Sequence, residues 1–494
     1  MFFGDYYLTR LIFQRALALV YLIAFLVVLH QFKPLLGEKG LLPVPQFVKQ
    51  IRFSDAPSLF FFLPKNSAFM LFGGIGVILS LLALTGISER FGTPISMIIW
   101  GSLWLIYLSF VNVGQTFYSF GWETMLLETG FLAIFLGAAD TKAPALVIWL
   151  IRWELFRVMF GAGLIKLRGD PCWKDLTCLF YHHETQPIPN PLSWYFHWLP
   201  REIHKASVLF NHFVELIVPF AYFIPISLIA AAAGLFTLLF HGLLAVSGNF
   251  AFLGFLTMVL AIATFDDSII LRVFPFLENI IPASSTATAT ISVFHTYAVW
   301  GLAIIVALLS IKPILNLLSP RQIMNTSFDS LHLVNTYGAF GSITKERYEI
   351  IIEGTNEDVT TESTRWREYE FIGKPGNPLR RPPQIAPYHL RLDWLMWFAT
   401  MSSYREHPWF VHLVYKLLLG DKDTLSLLKT NPFPGEPPKN IRALLYRYRF
   451  ATQEEKLFTG WWWSRRLAGV YFPAVSLSNP EFRQLLQRMD WLEK

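Results

Sequence analysis

Ionisable side chains set inside apolar stretches are the first candidates for chemistry in this chain. Arg152, Glu154 and Arg157 fall within the apolar stretch from Ala145 to Ile165, where a helix would bring Glu154 and Arg157, three residues apart, close enough to pair. An ionised side chain at the centre of a bilayer costs roughly 2.5–3.5 kcal/mol on insertion scales, so such groups turn inward to a partner. An ion pair that ties helices together is the first reading, and a substrate contact the second. Asn211, His212 and Glu215, within Ala206 to Ile224, share one helical face and make the strongest polar stripe in the apolar part. Hydrogen bonding between helices is its first expected role. Lys166 follows Gly161-Ala-Gly163 at a helix end, where a lysine ordinarily snorkels to the surface. Its alternative is a base made available by desolvation, with His212 and Glu215 as acid and base partners.

Cys172 and Cys178 are the only cysteines. Their spacing fits neither a zinc knuckle nor a thioredoxin-type pair. A local disulfide facing an oxidising compartment is the first reading, with free thiols second and a metal cluster with His182, His183 and Glu184 third. No phosphate-binding glycine loop, nucleophile elbow or zinc-protease helix occurs, and no cofactor is implied. Gly73-Gly-Ile-Gly76 and Gly161-Ala-Gly163 lie in apolar stretches, where small residues let helices approach closely.

The elements that must position these groups are membrane helices. Of 494 residues, 53% are hydrophobic and only 15% charged, against roughly 25% charged in an ordinary soluble domain. A helix needs about 20 apolar residues to cross a hydrocarbon layer roughly 30 Å thick. Ala68–Ile87, Ile95–Val113, Ile226–Val246 and Val293–Ile311 meet this without a formal charge. Leu11–Leu29, Thr124–Ala139, Ala145–Ile165, Ala206–Ile224 and Phe250–Phe265 are shorter or carry charge, and bring the expected total to about nine. Leu11–Leu29 reads as a retained signal anchor, because no small-residue cleavage pattern follows it. Residues 269–281, in the connection from Asp266 to Thr290, read as interfacial.

Charged residues number 34 in residues 1–318 and 42 in the remaining 176. That shift, beside Lys312, Pro313 and Pro320, predicts a transmembrane helical domain over 1–318 and a soluble α+β domain over 319–494. In the latter, Arg347–Glu353, Arg367–Ile372 and Asn440–Ala451 read as strands, and Leu390–Thr400 and Trp409–Leu419 as helices. Trp461-Trp-Trp463 reads as a packed strand turn, an interfacial belt or a partner surface. The net charge of +6 contains no long run of like charges, which argues against a nucleic-acid partner. Membrane lipids are the partner that composition does imply. A count of Lys and Arg places the two long connections, 30–67 and 166–205, in the cytoplasm, whereas Arg10 and Arg15 favour a cytoplasmic amino terminus opposite them.

Several long motifs resemble the lipase maturation factor family. They are Leu36-Gly-Glu-Lys-Gly-Leu-Leu-Pro43, Ser119-Phe-Gly-Trp-Glu-Thr-Met-Leu-Leu-Glu-Thr-Gly130, the run from Ile151 to Cys178, Tyr181-His-His-Glu-Thr-Gln-Pro-Ile-Pro-Asn-Pro191, Asn211-His-Phe-Val-Glu215 and Pro387-Tyr-His-Leu-Arg-Leu-Asp-Trp394. The resemblance implies a chaperone-like endoplasmic-reticulum membrane protein in animals that helps lipases fold and assemble, with a lumenal carboxyl-terminal domain. A bacterial member would sit in the inner membrane and face the periplasm. The client would be a secreted, lipase-like protein, and no catalysis is expected. The membrane part also resembles that of vitamin K-dependent gamma-carboxylase, whose Ala-Gly-x-Lys-Lys-Leu run carries a lysine base. Ala162-Gly-Leu-Ile-Lys-Leu167 is similar, and nominates Lys166 in an alternative reading as an intramembrane enzyme on a lipid or quinone-like substrate.

Overall fold

The protein is described by a computed structural model covering residues 5–281 and 292–492. The last part of the connection expected over Asp266 to Thr290 lies outside the described residues. The amino-terminal part is a helical bundle of α1 (Tyr7–Leu36), α2 (Asn66–Leu84), α3 (Thr93–Asn112), α4 (Gly121–Ala133) and α5 (Ala145–Arg168). After it come the short α6 (Leu179–Thr185) and α7 (Ser193–His197), then α8 (Arg201–His212), α9 (Ser227–Ser247), α10 (Leu253–Ala261), α11 (Asp267–Val273), α12 (Val293–Leu309) and α13 (Ile311–Leu318).

Five of these stretches are long and apolar enough to cross a membrane: α1, α2, α3, α9 and the run 293–318 that α12 and α13 form together. The segment 253–264 with α11 makes a sixth if taken as one span, although the two bend by 104°. The expectation of about nine is thus met outright by five or six among the described residues. The other segments differ for a physical reason. α4 has only 13 residues, α8 has 12 before its hydrogen bonding shifts to a π turn over Phe213–Ile217, and α5 carries five cationic or anionic groups. α5 is wrapped by other helices and buries Arg152, Glu154, Arg157 and Lys166, so its charges meet protein rather than lipid.

Close packing follows the small residues. A Cβ on Gly73 would sit 2.9 Å from Leu29, and one on Gly76 would strike the Phe25 ring, whereas Gly74 faces open space. The α1–α2 contact therefore needs two of these three glycines.

The bundle has two distinct ends. At one, Asp267 accepts from the backbone N–H groups of Tyr7, Leu8 and Thr9 at 2.7–3.2 Å, and Arg15 pairs with Glu89 at 2.6 Å. At the other lie the segments 37–65, 113–120, 169–200 and 248–252, with the entire carboxyl-terminal module docked against them. Gln31 Nε2, on the last turns of α1, donates to His389 O at 2.7 Å, and Asn249 Nδ2 donates to Pro383 O at 2.9 Å.

That module is α+β. An antiparallel sheet in the order β2-β1-β5-β6 joins β1 (Arg347–Thr355), β2 (Arg367–Glu368), β5 (Asn440–Phe450) and β6 (Trp463–Val475). Between them β3 (Glu370–Phe371) pairs with β4 (Leu428–Thr430). The helices are α14 (Arg391–Ala399), α15 (Pro408–Leu418), α16 (Gln453–Thr459) and α17 (Pro480–Arg488). In β1, paired from Arg347 opposite Tyr448 to Thr355 opposite Asn440, Ile350 and Ile352 enter the main core while Ile351 joins a separate cluster with Trp194 and Trp463. This alternation is the period-2 consequence of the extended backbone.

The two expected helices and the strands at 347 and 440 are present, and the strand expected over 367–372 is split into β2 and β3. β6 was not expected. Arg465, Arg466, Gly469 and Pro473 interrupt its apolar alternation, a pattern that only an edge strand tolerates, and β6 is an edge. Composition changes after α13, but packing does not: residues 324–341 run back over the helices and insert Asn335 and Tyr337 among them.

Candidate functional site

Lys166, Asn211, His212 and Glu215 lie at the end of the bundle that meets the module, whereas Arg152 lies toward the opposite end, beside Tyr6. Lys166, on the last turn of α5, points inward rather than snorkelling. Its Nζ donates to both carboxylate oxygens of Glu215 at 2.6 and 2.7 Å, and both side chains are buried. The π turn after α8 sets Glu215 against Gly163, whose absent side chain leaves the room: a Cβ there would lie 3.0 Å from that of Glu215. The Trp173 ring lies 5.0 Å from the ammonium.

Trp173 is held in turn. Its Nε1 donates to Phe340 O at 2.8 Å, and its carbonyl accepts from His212 Nε2 at 3.0 Å. Its loop is closed by a disulfide between Cys172 and Cys178. Asp170 accepts from the Cys172 N–H at 2.9 Å and fixes the turn. Lys166, Glu215 and His212 are therefore brought together, but each is spent on a neighbour within the protein. Asn211 is buried beside them, with its Nδ2 unpartnered.

The partners of the α5 charges differ from the expectation. Arg157 pairs with Glu128 of α4, not with Glu154, and also donates to Asn335 O at 2.7 Å. Glu128 further accepts from the Asn335 N–H at 3.0 Å, the Asn335 Nδ2 at 3.1 Å and the Tyr337 hydroxyl at 2.7 Å. Glu154 accepts from Thr129 Oγ1 at 2.7 Å. Arg152 donates to the carbonyls of Ala263 and Tyr222, at 2.7 and 3.1 Å. The reason is geometric. On one helix a Glu and an Arg three apart compete with groups on the facing helix, and Glu128 reaches the guanidinium with both oxygens while the returning segment supplies the remaining donors.

A third network was not anticipated at all. Arg391 Nη1, at the start of α14, pairs with Glu123 Oε1 of α4 at 2.8 Å, both side chains fully buried. It also donates to Phe117 O at 2.7 Å, and its guanidinium lies 3.4 Å from the centre of the Tyr118 ring. His389 packs edge-on against Phe120 and Trp122. Burial, reinforced by the Arg391 charge, pushes its pKa down to about 4, so it is neutral at pH 7. Nearby, Arg347 donates to the carbonyls of Glu184 and Pro187 at 3.0 Å and pairs with Glu349 at 2.5 Å, which Lys374 also meets at 2.9 Å. Glu123 and Arg391 sit inside two of the family-like motifs, and that was their one sequence signal.

His182, His183 and Glu184 make no metal centre: among the described residues no three His, Cys, Asp or Glu side chains converge in a suitable arrangement. Glu184 turns away to accept from the Phe450 N–H at 2.7 Å. Burial and the Lys166 charge bring the His182 pKa down to about 4, and burial with the neighbouring His182 and His204 holds His183 well below the usual range. One cavity of about 440 Å³ lies between the end of α1 and the module, lined by His30, Gln31, Tyr388, Asp393, Ile372 and Leu427 among others. A second, of about 20 Å³, lies beside His241 and Phe250. Neither is lined by Lys166 or Glu215.

A bundle with several bilayer-length apolar helices, locked at one end to an α+β module by a buried ion pair and buried hydrogen bonds, is a multi-pass membrane protein. Sequence profiles described as "Lipase maturation factor transmembrane domain" and "Lipase maturation factor C-terminal domain" match residues 8–272 and 333–473. The chain is 44% identical to human Lipase maturation factor 1 over 97% of its length and 90% of that protein's. It is 42% identical to the Bos taurus protein of the same name, over 99% and 92%. Lipase maturation factor 2 of Xenopus laevis is 30% identical, over 98% and 85%. The chain belongs to the lipase maturation factor family. No solved structure matches it.

Proposed function

We propose that this chain is a membrane maturation factor for lipases, a chaperone-like protein that supports folding and assembly of an exported client rather than transforming a substrate. The observation that carries this reading is the likeness to human Lipase maturation factor 1, which extends over both the bundle and the module. The site geometry supports it. Lys166 points inward to Glu215, as an intramembrane base would, but neither described cavity is lined by either residue, so the pair meets no space for a substrate, whereas the buried networks fix the module on the bundle.

The finer topology is part of the same proposal: nine passes, the amino terminus in the cytosol, and the module from residue 319 onward in the lumen of the endoplasmic reticulum, or in the periplasm of a bacterium. It is supported by the order of contacts along the chain, which alternates between the two ends of the bundle, and by a disulfide at the module end, where an oxidising compartment would preserve it. The test uses cells that lack their own maturation factor and express a dimeric lipase such as lipoprotein lipase. Introducing the full chain should raise secreted lipase activity per molecule of lipase. Unchanged specific activity, with the chain correctly inserted, overturns the function. Digestion of a carboxyl-terminal tag by protease added to intact microsomes overturns the topology.

A further inference from the structure

α16 is a seven-residue helix built to hold its shape. Thr452 and Glu455 form a reciprocal capping box at its start, and Gly460, at φ 72°, ends it. Yet its last turn presents Leu457 and Phe458 to the outside, 81% and 84% exposed, with Trp461 beyond them. Two adjacent large apolar side chains held out on a rigid tip need an apolar environment to receive them.

The surroundings of α16 say which one. Trp194 Nε1 of α7 donates to Ala451 O at 2.8 Å and fastens α7 beneath the β5–α16 turn. Lys456 Nζ lies 3.5 Å from the ring centre of Trp462, 3.9 Å from Trp194 and 5.0 Å from Tyr195. Arg381 also lies 5.3 Å from the ring centre of Trp462. Tyr195 on the same short helix and Trp198 just after it, both exposed, lead through Pro200 directly into α8. There Ile203 and Leu209, then Phe213 and Ile217 on the π turn, continue an exposed apolar stripe down the side of the bundle. The α16 tip is thus joined, through a band of Trp, Tyr, Lys and Arg, to an exposed apolar side of the bundle. Aromatic rings with cationic side chains are the chemistry of the bilayer's headgroup level.

We propose that α16 with α7 forms an interfacial anchor, in which Leu457 and Phe458 enter the headgroup–acyl boundary of the bilayer and Lys456 and Arg381 lie at the phosphates. The carboxyl-terminal module then lies down on the membrane at this edge, beyond its fixed contacts with the bundle. A client protein as the occupant of the same tip is the competing outcome.

The full chain carrying Phe458→Cys, labelled with an environment-sensitive fluorophore, tests this. The native cysteines are both in the disulfide, so the label is unique, and the exposed position tolerates it. The protein is reconstituted in phosphatidylcholine–phosphatidylserine vesicles without any client. Lipids with a spin label high on the acyl chain should quench the fluorophore, and its iodide accessibility should be roughly threefold or more below that of the same label at Val359, an exposed residue in the loop after β1, as for a side chain buried 5–10 Å into the interface. Equal iodide access at both sites, with no lipid quenching, overturns the proposal. Protection that arises only on adding a folding lipase also overturns it, and assigns the tip to the client.

Discussion

Replacing Arg391 by Met should loosen the module from the bundle more than any surface change. At 2.8 Å the Arg391–Glu123 attraction is about 6 kcal/mol for an effective dielectric of about 20. Most of that is offset by the cost of drying both ions, so the pair itself adds little net stability. The asymmetry decides the outcome. Arg391→Met leaves Glu123 buried and unpaired by any cation, which costs about 3–5 kcal/mol, between about two and four powers of ten in the folding equilibrium. The assay is urea unfolding of purified full-length protein in mild detergent, followed by tryptophan fluorescence, because Trp122 and Trp394 pack edge to face beside the pair. Arg466→Met, at an exposed position of β6, is the control. The double variant Glu123→Gln with Arg391→Met should recover a large part of the loss, because no lone charge remains. If Arg391→Met shifts the midpoint no further than Arg466→Met, or if the double variant falls by the sum of the single changes, the reasoning from an uncompensated buried charge is refuted.

Other expectations follow from the packing and the protonation states. Gly76→Ala should cost about 1–3 kcal/mol by forcing α2 off the Phe25 ring, while Gly74→Ala, which faces open space, should leave the melting temperature unchanged; equal effects would contradict the packing. Removing the disulfide by Cys172→Ser with Cys178→Ser should cost about 2 kcal/mol for so short a loop, and the native chain should take up no maleimide until it is reduced. Acid should weaken the module and its seat on the bundle. His389, His197 and His412 are held near 4 by burial against an ordinary value of about 6.5. Their neutral forms therefore contribute stability that is complete above about pH 6.5 and is lost as the pH falls toward 4. A melting temperature that stays flat between pH 7 and 4.5 would show that these rings are not buried as described.

What could be read from residues alone divides along physical lines. The apolar helices and strands β1 and β5 were legible because one period of hydrophobicity runs through each of them. Lys166 and Glu215 were also nominated, since an ionisable group in an apolar stretch is visible without a fold. Their partners were not. Glu154 and Arg157 looked like a pair because spacing on one helix is all that a sequence exposes, whereas Glu128 comes from α4 and Asn335 from a segment 178 residues beyond Arg157. β6 escaped because edge strands accept charges, Gly and Pro that inner strands do not. The number of membrane passes was hard for a related reason: inner helices such as α5 are shielded by their neighbours and no longer need to be apolar throughout.

The returning segment with Asn335 and Tyr337 sets an order of assembly. The carboxylate of Glu128 emerges from the ribosome some two hundred residues before the groups that enclose it, and Glu123 precedes Arg391 by a longer interval still. Until those later residues are synthesised, two acidic side chains in the heart of the bundle stay incompletely wrapped, so a chain that stops after its last membrane helix presents the quality-control machinery with an open interior. Completion of the lipid-embedded half is thus timed by the translation of the other half.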